Sequence, residues 1–288
     1  MFILSNLKGY NKYSWYPGHM RKARCLIKQN LKNVDVVFEL RDSRAPVATK
    51  NSYISNVIKY KRKILLLCKS DLSSPDITNL WVRYFKNEGF YDAVLSVNCK
   101  NFKQTRNILN LCGNVLCECG NKENRQKRFR AMIVGVANVG KSTLINSLVG
   151  SKKAKTGNFP GVTLSKQWIC LNNNIDLLDM PGDLDFENEE ENGYILKLLG
   201  CVKDGAFDEE KIAFELLHFL KNNEKELMQN IFGLSWQNEE YELINLYGSK
   251  KSFVKKGGEI DSKRAASFLI KEFRNGRFGR ISLQTPKI

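Results

Sequence analysis

The chain has 288 residues, 42% of them hydrophobic and 26% charged, a composition typical of a folded globular protein with one medium and one small domain. Its longest apolar run, residues 64–68, is too short to cross a bilayer, which argues against a membrane-spanning class. The net charge of +16 favours nucleic acid as a partner, and a lysine-rich surface kept for solubility is the alternative.

The first two thirds of the chain alternate short apolar segments of strand type with helical patterns, which predicts a parallel sheet covered by helices. We predict six strands, at residues 34–40, 63–68, 92–97, 129–135, 166–171 and 175–179. The polar segment 120–128, rich in Lys, Arg and Asn, is expected to be a solvated connector between the third and fourth strands. The expected fold class is α/β, with a six-stranded, mostly parallel sheet.

The strand patterns stop after residue 182, and apolar residues then recur at helical spacing. Helices are expected to include residues 194–199, 212–220 and 265–273, and His218 is expected to pack inside this region. We therefore predict two domains: residues 1–190, which include a basic N-terminal segment, and a small, basic, helical domain at 191–288.

The second predicted strand ends in Cys68-Lys69-Ser70-Asp71, a variant of the N-K-x-D motif that recognises guanine. The Asp71 carboxylate suits the N1–H and 2-amino donors of guanine, which adenine does not present, so the motif favours GTP over ATP. Lys69 is expected to pack its aliphatic stem on the base. Cys68 replaces the usual Asn, and a thiol is the weaker hydrogen-bonding group, which predicts reduced affinity.

A second base contact is expected after the third strand, at Ser96, Val97 and Asn98. These residues resemble the loop whose backbone contacts the guanine oxygen. Alone this is a weak signal, and it adds to the motif that ends at Asp71.

The fourth strand is followed by residues 135–142, which match the P-loop pattern G-x-x-x-x-G-K-[ST] and precede a helical pattern. Backbone N–H groups of such a loop surround phosphates, and Lys141 is expected to reach the β- and γ-phosphate oxygens as a catalytic group. Ser142 is expected to bind Mg²⁺. The predicted phosphate contacts of this loop are Asn138, Val139, Gly140, Lys141, Ser142 and Thr143.

Two further segments are predicted to be nucleotide-sensitive switches. Thr163, in a polar loop, is expected to close over Mg²⁺ when a γ-phosphate is present, and an ordinary turn is the alternative. Asp179 ends the sixth strand and opens a D-x-x-G motif in which it holds Mg²⁺ through water while the Gly182 N–H contacts the γ-phosphate. Asp183 stands at the next position, where many GTPases place a catalytic Gln.

The order of these motifs is circularly permuted, because Lys69 and Asp71 precede the P-loop that comes first in ordinary GTPases. A sheet depends on spatial neighbours more than on chain order, so the same site can form from the permuted chain. One consequence is that the chain passes directly from the Asp179 switch into the helical domain.

Further motifs occur at residues 15–20 (WYPGHM), 39–46 (ELRDSRAP), 138–146 (NVGKSTLIN), 155–157 (KTG), 160–163 (PGVT), 167–168 (QW) and 278–280 (FGR). Together these motifs resemble the YlqF/RbgA family of circularly permuted GTPases and their mitochondrial relatives. The resemblance covers nearly the whole chain. It implies that the protein is a late maturation factor for the large ribosomal subunit. Its slow intrinsic GTP hydrolysis would be stimulated by the ribosomal particle, and its helical C-terminal domain would contact rRNA.

The resemblance also implies roles for single residues. His19 would reach the nucleotide and position water or offset charge in place of the missing Gln, and a packing or RNA-contacting His is the alternative. Asn138 resembles the Asn that helps to bind K⁺ beside the phosphates, and a residue that only caps the loop is the alternative. GTP or GDP, Mg²⁺ and K⁺ are thus the expected ligands.

Two basic regions are expected to contact RNA. Arg21 and Lys22 lie in an N-terminal segment without acids, and the C-terminal candidates are Lys255, Lys256, Arg277 and Arg280. We expect a monomer in the bacterial cytoplasm, with a mitochondrial or other organelle matrix as the alternative. A GTP-dependent RNA-binding module and a P-loop GTPase acting on tRNA or another small RNA remain alternative functions.

Overall fold

The computed structural model describes residues 18–117, 128–150, 167–171, 175–180, 189–202 and 208–287. The chain divides into two units, Met1–Gly193 with Arg280–Ile288, and Tyr194–Gly279. The predicted helical domain ran to residue 288, which is wrong for its last nine residues, because they pack with the first unit. The predicted connector lies largely outside the described residues.

The first unit is built on one six-stranded sheet, which confirms the predicted fold class. Its strands are β1 Val36–Asp42, β2 Arg62–Cys68, β3 Ala93–Val97, β4 Phe129–Val134, β5 Gln167–Leu171 and β6 Ile175–Asp179. All six were predicted to within two residues at each end. Only β5 runs antiparallel, against β6.

The strand order is β3-β2-β1-β4-β6-β5. From β1 the chain builds outward through β2 to β3, and it then crosses to the other side of β1 to place β4 there. The order of strands therefore reverses between β1 and β4, whose carboxyl ends lie side by side. Ligands of open α/β sheets bind in the crevice at such a switch point.

Five helices of the described residues belong to the first unit: α1 Gly18–Leu31, α2 Ser52–Val57, α3 Pro75–Asn87, α4 Phe102–Cys117 and α5 Lys141–Val149. Two apolar clusters join helices of this set to the sheet. One cluster joins Ile27 of α1 and Ile54 of α2 to Met132 and Leu178 of the sheet. The other joins Trp81 and Phe85 of α3 to Leu65 and Leu67 of β2.

The sequence of α3 shows why its helix forms where it does. Pro75 occupies the first turn, where its missing N–H costs nothing, and Asp76 beside it suits the positive end of the helix. Trp81 and Phe85 are spaced by one turn, and both are buried with their rings stacked at 5.3 Å. Burial of these two rings fixes α3 behind the base-recognition strand β2.

Strand β1 is buried along its whole length, including its charged residues. Arg41 forms an ion pair with Glu39 at 2.7 Å, and the Tyr91 hydroxyl donates to the same Glu39 carboxylate at 2.9 Å. Since each buried charge has a partner, the strand tolerates residues that would otherwise be costly inside a protein.

The second unit is helical, as predicted. Its elements are the end of α6 (Glu189–Leu198), α7 Glu209–Asn223, α8 Lys225–Phe232, a 3₁₀ helix Gly233–Gln237, α9 Glu240–Lys250 and α10 Ser262–Arg274. The carboxylates of Asp208 and Asp261 cap α7 and α10 by accepting from Glu210 N and Arg264 N. α10 packs on α7 and α9, and its buried residues include Leu269, Ile270 and Phe273.

The expectation that His218 packs inside this unit is wrong. Its side chain is exposed on α7, and its Nδ1 lies 3.3 Å from a carboxylate oxygen of Glu240 on α9. The apolar positions of α7 are Ile212, Leu216 and Leu220, and His218 falls on the opposite face of the helix.

No helix within the described ranges is both long enough and apolar enough to cross a membrane.

Candidate guanine-nucleotide site

The phosphate-binding loop, residues 135–142, connects β4 to α5 at the switch point of the sheet. Three of its residues have positive φ angles: Gly135 at 151°, Asn138 at 59° and Gly140 at 113°. A Cβ on Gly135 would lie 2.6 Å from the carbonyl oxygen of Leu40 on β1, so a side chain has no room there. The loop therefore has the tight, glycine-dependent curvature of a phosphate cradle.

Lys141 is the first residue of α5 and is 7% exposed. Its ammonium donates to the carbonyl oxygens of Gly135 and Val136, at 2.8 and 2.7 Å. The positive charge is thus held inside the curve of the loop, where phosphate oxygens would bind. Within the loop, the side chain of Val139 is buried. Ser142 and Thr143 follow Lys141 in the first turn of the helix.

Asp179 supplies a carboxylate beside this loop. It is the last residue of β6, paired with Ile133 of β4, and only 3% of it is exposed. Burial raises the pKa of Asp179 to about 6, although the Lys141 ammonium partly offsets this effect. Its buried Oδ1 has no hydrogen-bond partner among the described residues. A buried carboxylate oxygen without a partner suits a hard cation, so Asp179 and Ser142 fit a Mg²⁺ site.

The base-recognition motif, residues 68–71, begins at the end of β2, two strands away from β4. Lys69 has a left-handed backbone with φ of 57°, which turns the chain sharply at this point. Ser70 N donates to Val97 O at 3.3 Å and so ties the motif to the end of β3. The Asp71 carboxylate is partly exposed and lies 3.5 Å from the Lys100 ammonium. It is therefore accessible to a base.

Ser96 and Val97 are the last two residues of β3, and the loop itself begins at Asn98. The Asn98 side chain accepts from Lys100 N at 3.0 Å, which stabilises the turn. The structure thus brings the segment 96–98 next to the base-recognition motif, as its resemblance to a base-contacting loop requires.

Cys68 is fully buried and faces the phosphate-binding loop. Its Cβ lies 3.6 Å and the sulfur of Cys99 lies 3.7 Å from where a Cβ on Gly140 would be. A hydrogen bond with Cys99 and burial together raise the pKa of Cys68 well above its usual value, so it remains a neutral thiol. Cys68 therefore joins the two loops by packing, in place of the polar contacts an Asn would make.

Asp42 is a site residue to which the sequence assigned no role. It ends β1 at the switch point, and it is fully buried opposite Cys68 in the strand register. Its carboxylate forms an ion pair with Lys69 at 3.0 Å and a bidentate pair with Arg44 at 2.8 and 3.0 Å.

Burial by itself would raise the pKa of Asp42, but the Arg44 and Lys69 cations outweigh it and lower the pKa well below its ordinary value. The carboxylate thus stays ionised and fixes the Lys69 side chain. Its only sequence signal was its place in the 39–46 motif, two residues beyond the predicted strand 34–40.

Several predicted site residues are not described. Thr163, Gly182 and Asp183 lie outside the described residues, and so do the side chains of His19, Arg21 and Lys22 on α1. Their roles stay predictions.

The predicted RNA contacts fall into both units. Lys255 and Lys256 are exposed in a loop that the bridge between Val254 and Ile260 closes, and Arg277 is exposed after α10. Arg280 is exposed as well, but it belongs to the first unit, contrary to the prediction that grouped it with the helical domain.

Comparison with known proteins identifies relatives over nearly the whole chain. The sequence model of a family described as "50S ribosome-binding GTPase" matches residues 130–254. A Priestia megaterium protein named "Ribosome biogenesis GTPase A" is 36% identical over 279 residues, which are 94% of this chain and 96% of that protein. An Arabidopsis thaliana protein named "Short integuments 2, mitochondrial" is 35% identical over 231 residues, which are 75% of this chain and 58% of that protein.

Among solved structures, GNP-bound YlqF from T. maritima superimposes with a TM-score of 0.65 at 28% sequence identity. The match covers 92% of this chain and 99% of that structure. The fold is therefore shared with a protein whose structure was solved in its GNP-bound form.

Proposed function

The chain belongs to the ribosome biogenesis GTPase A family, the YlqF/RbgA proteins, and we propose that its GTPase cycle serves a late step in maturation of the large ribosomal subunit. It is a guanine-nucleotide-binding GTPase of ribosome biogenesis. The observation that carries the chemistry is the meeting at one edge of the sheet of Lys141, the base-recognition motif and Asp179, whose buried Oδ1 has no hydrogen-bond partner among the described residues. The family description "50S ribosome-binding GTPase" supports the large subunit as the partner.

In the proposed mechanism, Lys141 stabilises the charge that develops on the β- and γ-phosphate oxygens during hydrolysis. Ser142, Asp179 and Thr163 would hold Mg²⁺, which neutralises phosphate charge when bound. Gly182 contacts the γ-phosphate, and His19 positions water in place of the Gln that Asp183 replaces. On the base side, Asp71 reads guanine while Lys69, held by Asp42, packs on the ring.

The proposed GTPase cycle depends on the connection along the chain between the Asp179 switch and the helical unit. In the GTP state the protein binds the rRNA of the subunit precursor as a monomer, and hydrolysis releases it. The Asp179 switch continues along the chain into the helical unit, so that γ-phosphate loss changes RNA affinity. Relatives include a bacterial protein and one named mitochondrial, and we place this chain in the bacterial cytoplasm, with an organelle matrix as the second choice.

Depletion of the protein tests this function. We expect sucrose gradients of depleted cells to show fewer mature large subunits and a lighter precursor particle, and we expect wild-type protein to reverse the change. A Lys141→Ala copy serves as the control, because it should fold without supporting the cycle. Normal subunit ratios after depletion would exclude the proposed role while leaving the GTPase assignment intact.

Potassium should raise GTP turnover on the order of tenfold over sodium if Asn138 helps to hold a cation beside the phosphates, since that cation offsets transition-state charge. The test compares phosphate release in the two salts at equal ionic strength. Asn138→Gly is the matched variant, because glycine accepts the φ of 59° and removes only the side chain. Equal rates in both salts would remove K⁺ from the mechanism.

Nucleotide state should set the affinity for large-subunit particles. We expect a non-hydrolysable GTP analogue to support tighter binding than GDP, and reciprocity requires the particle to tighten analogue binding by the same factor. Changing Lys255, Lys256 and Arg277 to alanine should weaken binding in both states. The slope of log affinity against log salt concentration should fall by about 1 for each RNA phosphate that the variant no longer neutralises.

Two variants complete that experiment. Lys211→Ala with Lys225→Ala removes exposed positive charge elsewhere in the helical unit and should change binding little. Arg280→Ala is measured separately because Arg280 lies in the first unit. Equal affinity for the particle with the GTP analogue and with GDP would contradict the proposal that nucleotide state controls RNA binding. Unchanged affinity after the change of Lys255, Lys256 and Arg277 to alanine would instead assign the RNA contact to the region of Arg21 and Lys22.

A further inference from the structure

The C-terminal tail, residues 280–287, leaves the helical unit and packs against the GTPase unit. Ile281 is only 3% exposed. The tail makes its hydrogen bonds to two loops, residues 43–48 after β1 and residues 72–74 after the base-recognition motif, and to the side chain of Trp81 on α3. The tail is therefore a packed part of the GTPase unit.

Gln284 makes most of the hydrogen bonds between the tail and the first loop. Its side-chain oxygen accepts from Val47 N at 3.0 Å and from Ala48 N at 3.1 Å. Leu283 N and Gln284 N both donate to Arg44 O, at 2.8 and 3.3 Å. One side chain and two backbone amides of the tail thus add to the hydrogen bonds that hold this loop beside Asp42, such as Ser43 N donating to Cys68 O at 2.8 Å.

The second loop is held by the preceding residues of the tail. Ile281 N donates to Leu72 O at 3.0 Å, and Ser282 Oγ accepts from Ser74 N at 3.2 Å. The Trp81 indole N–H donates to Gln284 O at 3.0 Å, which anchors the tail on the helix behind this loop.

Both loops lead to the residues that recognise guanine. Asp42, directly before the first loop, forms the ion pair with Lys69. Leu72 directly follows Asp71, and its N–H donates to Lys69 O at 2.9 Å to close the turn of the motif. The tail therefore supports Lys69 through the loop that follows Asp42, and Asp71 through the loop that begins at Leu72.

We propose that residues 281–284 position the guanine-recognition motif, with Gln284 as the positioning residue for the loop after Asp42 and with Ile281 and Ser282 holding the loop after Asp71. The hydrogen bonds of the tail go to the two loops beside the base-recognition motif and to Trp81, which directs its effect to recognition of the base. Because α10 ends at Arg274, only five residues separate the helical unit's last helix from the tail.

The test measures binding of GDP and of IDP, which lacks the 2-amino group read by Asp71, to the full-length protein. Gln284→Ala leaves two backbone N–H groups without their acceptor, and we expect the Kd for GDP to rise about tenfold. The Kd for IDP should rise less, so that the preference for GDP over IDP shrinks. Gln284→Glu keeps an acceptor oxygen, so we expect its Kd for GDP and its Kd for IDP to lie close to the wild-type values.

Gln229→Ala, on the exposed face of α8, is the matched control and should leave both affinities unchanged. A merely structural role for the tail would reduce GDP and IDP binding by the same factor, and that result would overturn the proposal, as would unchanged GDP affinity. If Gln284→Ala does not fold, Ser282→Ala removes one hydrogen bond to the second loop. A smaller GDP-over-IDP preference in that variant supports positioning, and an unchanged preference refutes it.

Discussion

Replacing Lys141 with alanine is expected to lower the rate of GTP hydrolysis by at least about a hundredfold, because phosphoryl transfer depends on charge stabilisation at the phosphate oxygens. The Lys141 ammonium is already held inside the phosphate-binding loop by two carbonyl oxygens, so it needs little rearrangement to act. Asp179 would also lose the Lys141 charge that lowers the pKa of its buried carboxyl group. The measurement is single-turnover phosphate release at saturating GTP.

The control for this experiment is Lys103→Ala, which removes an exposed lysine from α4 and should retain the wild-type rate. Ser142→Ala is a second test of the same loop, and we expect it to lose hydrolysis as well because Ser142 fits the Mg²⁺ site. Wild-type turnover in the Lys141 variant would show that the assignment of this loop to phosphate is wrong.

Replacing Asp71 with asparagine is expected to change the preferred base. The carboxylate that accepts from guanine N1–H and the 2-amino group becomes an amide, which offers a donor to the 2-oxo group of xanthine. We expect the Kd for GDP to rise on the order of a hundredfold while binding of XDP improves. The pair with Lys100 is partly exposed, so its loss should have little effect on stability.

Competition against a labelled guanine nucleotide gives the necessary affinities. Asp76→Asn, in the exposed first turn of α3, removes the same charge close to the motif and should keep guanine specificity. Competition by ATP as strong as that by GTP in the wild-type protein would contradict guanine recognition by Asp71. Loss of GDP binding with no gain for XDP would show that Asp71 supports the loop without reading the base.

The sequence by itself determined the elements and the motifs of this protein. Buried strands such as β2 read as short apolar runs, and the phosphate-binding loop requires glycines and Lys141 in a fixed spacing, so both are encoded locally. The circular permutation followed from the order of these motifs alone. Helical spacing in α7 and α10 was likewise enough to predict a helical second unit.

Only the tertiary structure decided which distant residues support the site. The ion pair of Asp42 with Lys69 depends on the pairing of β1 with β2, and the hydrogen bond from Val47 to Gln284 joins residues 237 apart in the chain. Arg280 and the rest of the tail look like part of the helical unit in sequence, since nothing local distinguishes them. A contact between remote segments is set by the packing of the whole sheet and its loops, and no periodicity or motif within either segment records it.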